Sequence, residues 1–335
     1  MINYGIVGFG LHGVRRLMPG FELSENSRAT AVCRRDRGRA EKTAADYKIP
    51  HAFTSVEELC RCSDVDAVFV TSPNNCHLPD VLTAVRCGKP VLCEKPLAMN
   101  ASEAHQMVVA AREANVLFGV AHVFRFCETT SRLRQRIATG DIGRPTLARA
   151  EFSFFAPPDH PRTWLHDRSV AGGGPLADIG VHCIDTLRFV LQDEIVRVSA
   201  IDVKDQRSGD VEAAAVLALE FARGTLANVA VSYRAEYHTA VEIHGDGGSL
   251  VCDKGMAVDF PVTINLVRNN QVIDHQTVSN HLAYAKQVDE FSAAVEGKAK
   301  YRIAGEEGWQ NQVVLDAAYR SVETGKAESV ARVTP

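Results

Sequence analysis

A short apolar run, Ile2-Asn3-Tyr4-Gly5-Ile6-Val7, breaks into Gly8-Phe9-Gly10-Leu11-His12-Gly13 and resumes as an amphipathic stretch. Few architectures accept that order. Three glycines at this spacing, between a strand and a helix, leave the first amides of the helix free to meet an anion. Gly8 permits the tight turn, Gly10 lets backbone approach a pyrophosphate, and Gly13 allows the helix to pack closely on the strand. Alone, the pattern matches many unrelated loops. About eighty residues later a second apolar run, Pro90-Val91-Leu92-Cys93, delivers Glu94-Lys95-Pro96. That places an ammonium group at the carboxyl end of a strand, where doubly wound sheets bind their ligands. A third element, from Gly172-Gly173-Gly174-Pro175 to His182, carries Asp178 and His182 four residues apart.

The chain has 335 residues, more than one ordinary core accommodates, so two domains are expected. Residues 1–122 alternate apolar runs with amphipathic segments, the pattern of an α/β Rossmann domain with a doubly wound parallel sheet. Strands are predicted at 2–7, 29–33, 65–71, 90–93 and 117–121. Helices are predicted at 11–17, 37–47, from 55, 77–87 and 102–115. Asp36 is expected to cap the second of these, and Ser55 with Glu58 to form a capping box. Residues 123–335 change character. After a helix at 129–139, period-two alternation covers 146–154, 196–203, 213–221, 225–233, 240–244 and 262–267. That pattern predicts an α+β domain with a large, mainly antiparallel open sheet, and helices at 175–191, 282–296 and 306–324.

Hydrophobic residues make up 46% and charged residues 23%, with a net charge of -4. Nothing in that balance favours nucleic acid or an anionic membrane as partner. The nine cysteines contain no CxxC pair, and no paired histidines accompany Cys60-Arg61-Cys62, so free buried thiols and no metal are expected. The first strand starts at Ile2 and no apolar run reaches membrane-spanning length, so a cytoplasmic location is expected.

The three motifs together resemble the glucose-fructose oxidoreductase / inositol dehydrogenase / MocA (Gfo/Idh/MocA) family, and the resemblance runs nearly end to end. It implies an NAD(P)-dependent oxidoreductase that moves a hydride between nicotinamide C4 and a carbinol or carbonyl carbon of a sugar, sugar derivative or cyclitol. In that family Lys95 would polarise the reacting oxygen, His182 would be general acid/base, and Asp178 would bind a substrate hydroxyl. The cofactor would rest on Gly8, Phe9, Gly10, Leu11, His12, Gly13, Glu94 and Lys95, with Thr71, Ser72, Pro73, Asn74 and His77 under the nicotinamide ribose. His122, Arg125, Trp164 and Tyr284 would line the substrate. The surroundings of Trp164 are most similar to the family's NADPH-dependent ketose reductases acting on anhydrofructose.

One departure bears on the cofactor. NAD enzymes usually carry a carboxylate at the end of the second strand to accept the ribose 2′-hydroxyl. Here Arg34 and Arg35 occupy that place, which suits a 2′-phosphate, so NADP is favoured and NAD remains possible. Two other readings stay open: a glycosidase working through transient oxidation and elimination with NAD, and a non-catalytic dinucleotide sensor. A homodimer or homotetramer is also expected, because residues 213–221 are apolar on both faces: Ala214, Val216 and Ala218 on one, Ala215, Leu217 and Leu219 on the other.

Overall fold

The computed structural model describes residues 1–157 and 160–333. The chain divides into two compact units: Met1–His122 with Tyr284–Trp309, and Val123–Ala283 with the stretch from Gln310 onward.

The first unit is built on six strands: β1 (Ile2–Val7), β2 (Ser27–Cys33), β3 (His51–Phe53), β4 (Ala67–Val70), β5 (Val91–Glu94) and β6 (Phe118–Ala121). Their order is β3-β2-β1-β4-β5-β6, and every pairing is parallel. Chain order reverses between β1 and β4, which fixes where a ligand crevice lies at the carboxyl ends. β4, β5 and β6 are buried throughout, as strands covered on both faces must be. Helix caps follow the local sequence. Asp36 accepts from the Arg39 amide at 2.7 Å, and Ser55 accepts from Glu58. The helix after the glycine turn differs from a regular one: it opens with a π-turn at Gly13–Leu17 before Met18–Glu22.

Tyr284–Trp309 belongs to this unit although it follows the second sheet in sequence. Side-chain packing explains it. Tyr4 Oη lies 2.8 Å from Ser292 Oγ, and the Tyr301 hydroxyl donates to the Val120 carbonyl at 3.1 Å. Asp289 accepts from the amides of Glu25 at 3.1 Å and Asn26 at 3.2 Å. Trp309 packs on His105 with ring centroids 4.6 Å apart.

Among its described residues the second unit carries nine strands: β7 (Pro145–Ser153), β8 (Ile195–Val203), β9 (Ala214–Phe221), β10 (Leu226–Ser232), β11 (Val241–Gly245), β12 (Gly248–Cys252), β13 (Val262–Arg268), β14 (Gln271–Val278) and β15 (Glu328–Ser329). Their order is β14-β13-β12-β11-β7-β10-β9-β8-β15, antiparallel except for the β7–β10 pair. Ala215, Leu217, Leu219 and Phe221 of β9 are buried, while Val216 is exposed. Across the strands Ile201 pairs with Val216 and Leu226 with Leu147, so the outer face carries two exposed apolar pairs. The row that holds Arg149 and Asn228 separates them, and Arg197–Glu220 and Arg149–Glu242 ion pairs lie on the same face. Asn269 and Asn270 both take positive φ, at 49° and 59°, and close the tight β13–β14 hairpin. No helix among the described residues is long and apolar enough to cross a membrane.

Candidate active site

In the first unit the glycine turn is shaped by what sits beside each glycine. Gly8 has φ +81°, and a Cβ there would lie 2.6 Å from the Ser72 amide nitrogen. No L side chain fits. Gly10 is the reverse: a Cβ would meet nothing within 4 Å. The surface over Gly10 is therefore open to a ligand's phosphates, so these residues fit a dinucleotide. Phe9 turns inward, its ring 5.1 Å from Tyr47, and contributes backbone rather than side chain to the turn. Thr71 Oγ1 donates to the Gly8 carbonyl at 2.9 Å, which ties the end of β4 to the turn.

His12 Nε2 lies 2.9 Å from Glu94 Oε1, which links the glycine turn to Glu94-Lys95-Pro96. Burial alone pushes the Glu94 carboxyl up, but the charge and hydrogen bond of His12, and then Lys95, outweigh it and hold it below the ordinary glutamate value. Lys95 follows with a cis peptide to Pro96. His77, expected near the ribose, is 1% exposed. Its Nδ1 faces the Pro96 carbonyl at 3.0 Å and its Nε2 the Ser72 carbonyl at 2.9 Å. A neutral imidazole carries one N–H and donates to one of these carbonyls at a time, with the buried ring held between the two backbone segments. Burial pushes its pKa down, against the pull of those carbonyls. Ser72 Oγ is committed to Asp80 at 2.6 Å. Pro73 stands at the cap position of the helix Asn74–Arg86, and Asn74 is buried in its first turn.

At the end of β2, Arg34 Nη1 donates to Thr43 Oγ1 at 2.8 Å, and Arg35 Nη2 lies 3.1 Å from Cys76 Sγ. Asp36 is occupied as a helix cap. Burial and then the charge of Arg39 lower the Arg34 pKa, opposed by Asp36. Like charges crowd this corner. Tyr284 also lies in the first unit: its ring is 5.8 Å from that of His12, beside the glycine turn. His122 directly follows β6 and is 1% exposed.

In the second unit the helix of the third motif has a π-turn at Leu176–Gly180 and then runs as Val181–Leu191. The wide turn rotates Asp178 relative to His182 from where a regular helix would hold it. π-turns concentrate at functional sites. The start of this helix is held by Glu212, fully buried, whose Oε1 accepts from the amides of Gly174 at 3.0 Å and Leu176 at 2.9 Å. Pro175 between them has no amide to satisfy. The Tyr319 hydroxyl donates to the same oxygen at 3.1 Å. Burial, then the Glu212 charge, keeps that phenol protonated far above the ordinary range.

Asp178 accepts from the Tyr233 hydroxyl at 2.9 Å. Burial first, then the Asp178 charge, holds Tyr233 well above an ordinary tyrosine, so it keeps the proton it donates to Asp178. His182 is 8% exposed, between Phe124 at 4.6 Å edge-on and Phe152 at 6.0 Å stacked (ring centroids). Arg125 does not open toward a ligand: it is 6% exposed, and its Nη2 and Nε donate to Asp185 at 2.7 and 3.0 Å. Asn311 donates to the same carboxylate at 2.8 Å, and its own oxygen accepts from Arg188 at 2.7 Å. Trp164 sits half-buried in a short 3-10 turn, Thr163–His166. Tyr233, Glu212, Tyr319, Phe124 and Phe152 escape the sequence reading, because each reaches the motif from a distant segment without a pattern of its own.

Residues 2–122 match an oxidoreductase family described as having an NAD-binding Rossmann fold, and residues 130–251 match the GFO/IDH/MocA C-terminal domain. The chain is 36% identical over 297 residues to 1,5-anhydro-D-fructose reductase of Ensifer adhaerens, covering 88% of each. It is 29% identical to D-xylose 1-dehydrogenase (NADP(+)) 2 of Haloferax volcanii, over 97% of this chain and 98% of that one. Among solved structures, aldose-aldose oxidoreductase from Caulobacter crescentus, complexed with glycerol, superposes with a TM-score of 0.90 at 24% identity, covering 98% and 99% of the two chains. Levoglucosan dehydrogenase in complex with NADH superposes with 0.87 at 22% identity, covering 99% and 100%.

Proposed function

As a member of the Gfo/Idh/MocA family, the protein is an NAD(P)-binding oxidoreductase of CH-OH groups in sugars and cyclitols, and we propose that it is an NADP(H)-dependent sugar dehydrogenase or reductase. The observation that carries the cofactor choice is the β2 end. Arg34 and Arg35 stand there, Asp36 caps the next helix, and burial and then the charge of Arg39 depress Arg34. A 2′-phosphate would meet two guanidinium groups here and offset the charge crowding of Arg34 and Arg39, whereas the Asp36 carboxylate that could accept from a bare ribose hydroxyl already caps the helix through Oδ1.

When bound, the nicotinamide gives or takes the hydride. The remaining work falls to side chains. Lys95 places an ammonium at the substrate oxygen and stabilises alkoxide charge as the carbon changes hybridisation. His182 holds the proton that this oxygen gains or loses. Asp178, oriented by Tyr233, accepts a hydrogen bond from a neighbouring substrate hydroxyl. His77 and Glu94 brace the Lys95 segment. Arg34 and Arg35 count against the glycosidase reading, and Lys95, Asp178 and His182 against the sensor.

Following nicotinamide absorbance with both cofactors against 1,5-anhydro-D-fructose, D-xylose and myo-inositol tests this reading. Turnover with NADPH or NADP⁺ well above that with the NAD pair is expected; equal binding of both cofactors in a titration refutes the preference. The exposed apolar pairs Leu147–Leu226 and Ile201–Val216 on this sheet face meet a second copy in a two-fold contact, completing a homodimer or part of a homotetramer. A strict monomer in sedimentation at micromolar concentration would refute that contact.

A further inference from the structure

We propose that His51, Cys62 and Asp64 form a site for a divalent transition-metal ion, zinc above all, on the surface of the first unit. An imidazole nitrogen, the thiol sulfur and a carboxylate oxygen all lie within 4.8 Å of one another. His51 Nε2 and Asp64 Oδ2 are 2.8 Å apart. Sequence spacing conceals the site. The obvious thiol pair, Cys60 and Cys62, is not used, because Cys60 points into the core at 1% exposure.

The backbone holds the three donors in place. The Val65 amide donates to the Cys62 carbonyl at 3.2 Å, closing a turn that presents Cys62 and Asp64 together. Thr30 Oγ1 donates to the Asp64 carbonyl at 3.0 Å, which ties this turn to β2. The next residue of β2, Ala31, pairs with His51 on β3. Two adjacent residues of one buried strand thus fix both halves of the cluster.

The donor set selects the ion. One sulfur, one nitrogen and one oxygen leave a fourth tetrahedral position to water, an arrangement zinc accepts and calcium or magnesium does not. Thiolate and carboxylate together cancel the charge of the ion. Binding displaces the thiol proton to solvent and replaces the His51–Asp64 hydrogen bond with two metal bonds. His51 and Asp64, with side chains 35% and 61% exposed, leave the site open to ions in solution.

The site lies apart from the cofactor crevice. β3 runs from His51 to Phe53, and the Phe53 carbonyl accepts from the Arg34 amide at its carboxyl end, the end that faces the cofactor. His51 stands at the amino end, and the Cys62–Val65 turn leads into the amino end of β4. Metal bound there stiffens the β3 edge without touching the reacting groups.

Cobalt(II) titrated into the chelator-treated protein tests this. Tetrahedral d–d bands with a thiolate charge-transfer band are expected at one equivalent, and zinc should displace them. Cys62→Ser should abolish the charge-transfer band. His51→Ala and Asp64→Ala should each weaken binding by roughly tenfold or more, and unchanged thermal unfolding without metal shows that the variants are folded. Absence of the thiolate band, its survival in Cys62→Ser, or unchanged affinity in both His51→Ala and Asp64→Ala would overturn the site.

Discussion

The turn at Gly8–Gly13 and the turn at Gly172–Gly174 each lead into a helix that contains a π-turn, yet their surroundings differ. Over Gly10 there is open space, with no atom within 4 Å of an added Cβ. Over Gly173 and Gly174 there is protein: added Cβ atoms would lie 1.8 Å from the Tyr319 hydroxyl and 2.3 Å from the Glu212 carbonyl oxygen. In the first turn Gly10 leaves open space while Gly8 makes way for the Ser72 backbone; in the second, Gly173 and Gly174 make way for Tyr319 and the Glu212 segment, which hold the helix of Asp178 and His182. The same residue type therefore serves binding in one unit and positioning in the other.

The largest expected effect comes from removing what the second turn presents. His182→Ala should lower kcat by about 10²–10⁴, the usual contribution of a positioned acid/base, with cofactor binding retained. Lys95→Ala should also lose most of kcat. Near-normal turnover in His182→Ala would show that the second turn positions something other than the acid/base.

Gly174→Ala and Gly10→Ala test the contrast itself. Gly174→Ala should cost about 3 kcal/mol of folding stability, at the upper end for overpacking, because a backbone oxygen cannot step aside. Gly10→Ala should leave thermal unfolding unchanged and weaken dinucleotide binding instead. Equal losses of stability in both would erase the distinction.

Tyr233→Phe should leave the fold intact and lower kcat/KM by roughly tenfold, the scale of one lost hydrogen bond to a charged group. The loss should fall mostly in KM, since Tyr233 orients the carboxylate without touching the hydride. An unchanged KM would remove Asp178 from substrate binding.

The smallest effect concerns acid stability. The folded pKa of Glu94 lies below its ordinary value, so its contribution is complete above the ordinary glutamate range and fades as pH falls through the depressed pKa. In His12→Ala, burial would dominate and push that pKa up. The stability gap between wild type and His12→Ala should therefore widen as pH rises through about 4. Because His12 is partly exposed and solvent-screened, the gap should reach only about 1 kcal/mol. Chemical denaturation across that window checks it, and a pH-independent gap would show that the pair carries no linkage.

The first unit was legible because its signals are local. Gly8, Asp36, Ser55 and the apolar runs of β1 and β4 each act within a few residues, so chain order alone reveals them. β3 has three residues, too few for a period. β12 starts at Gly248, which reads as part of a turn, and β14 is exposed along most of its length and so carries no apolar alternation. In the site, Arg125 is expected at the rim from its place after the last Rossmann strand. Only the fold shows Asp185 and Asn311 enclosing it.

The sequence by itself determined the Rossmann alternation of strands and helices, the glycine turn, the second sheet and the spacing of Asp178 and His182, because backbone conformation and side-chain period depend on near neighbours. The tertiary structure decided the rest: that Tyr233 orients Asp178, that Glu212 and Tyr319 fill the space glycine leaves, and that Tyr284–Trp309 packs in the first unit. These contacts join residues far apart in the chain, and burial or hydrogen-bond satisfaction selects their partners only once the core has closed.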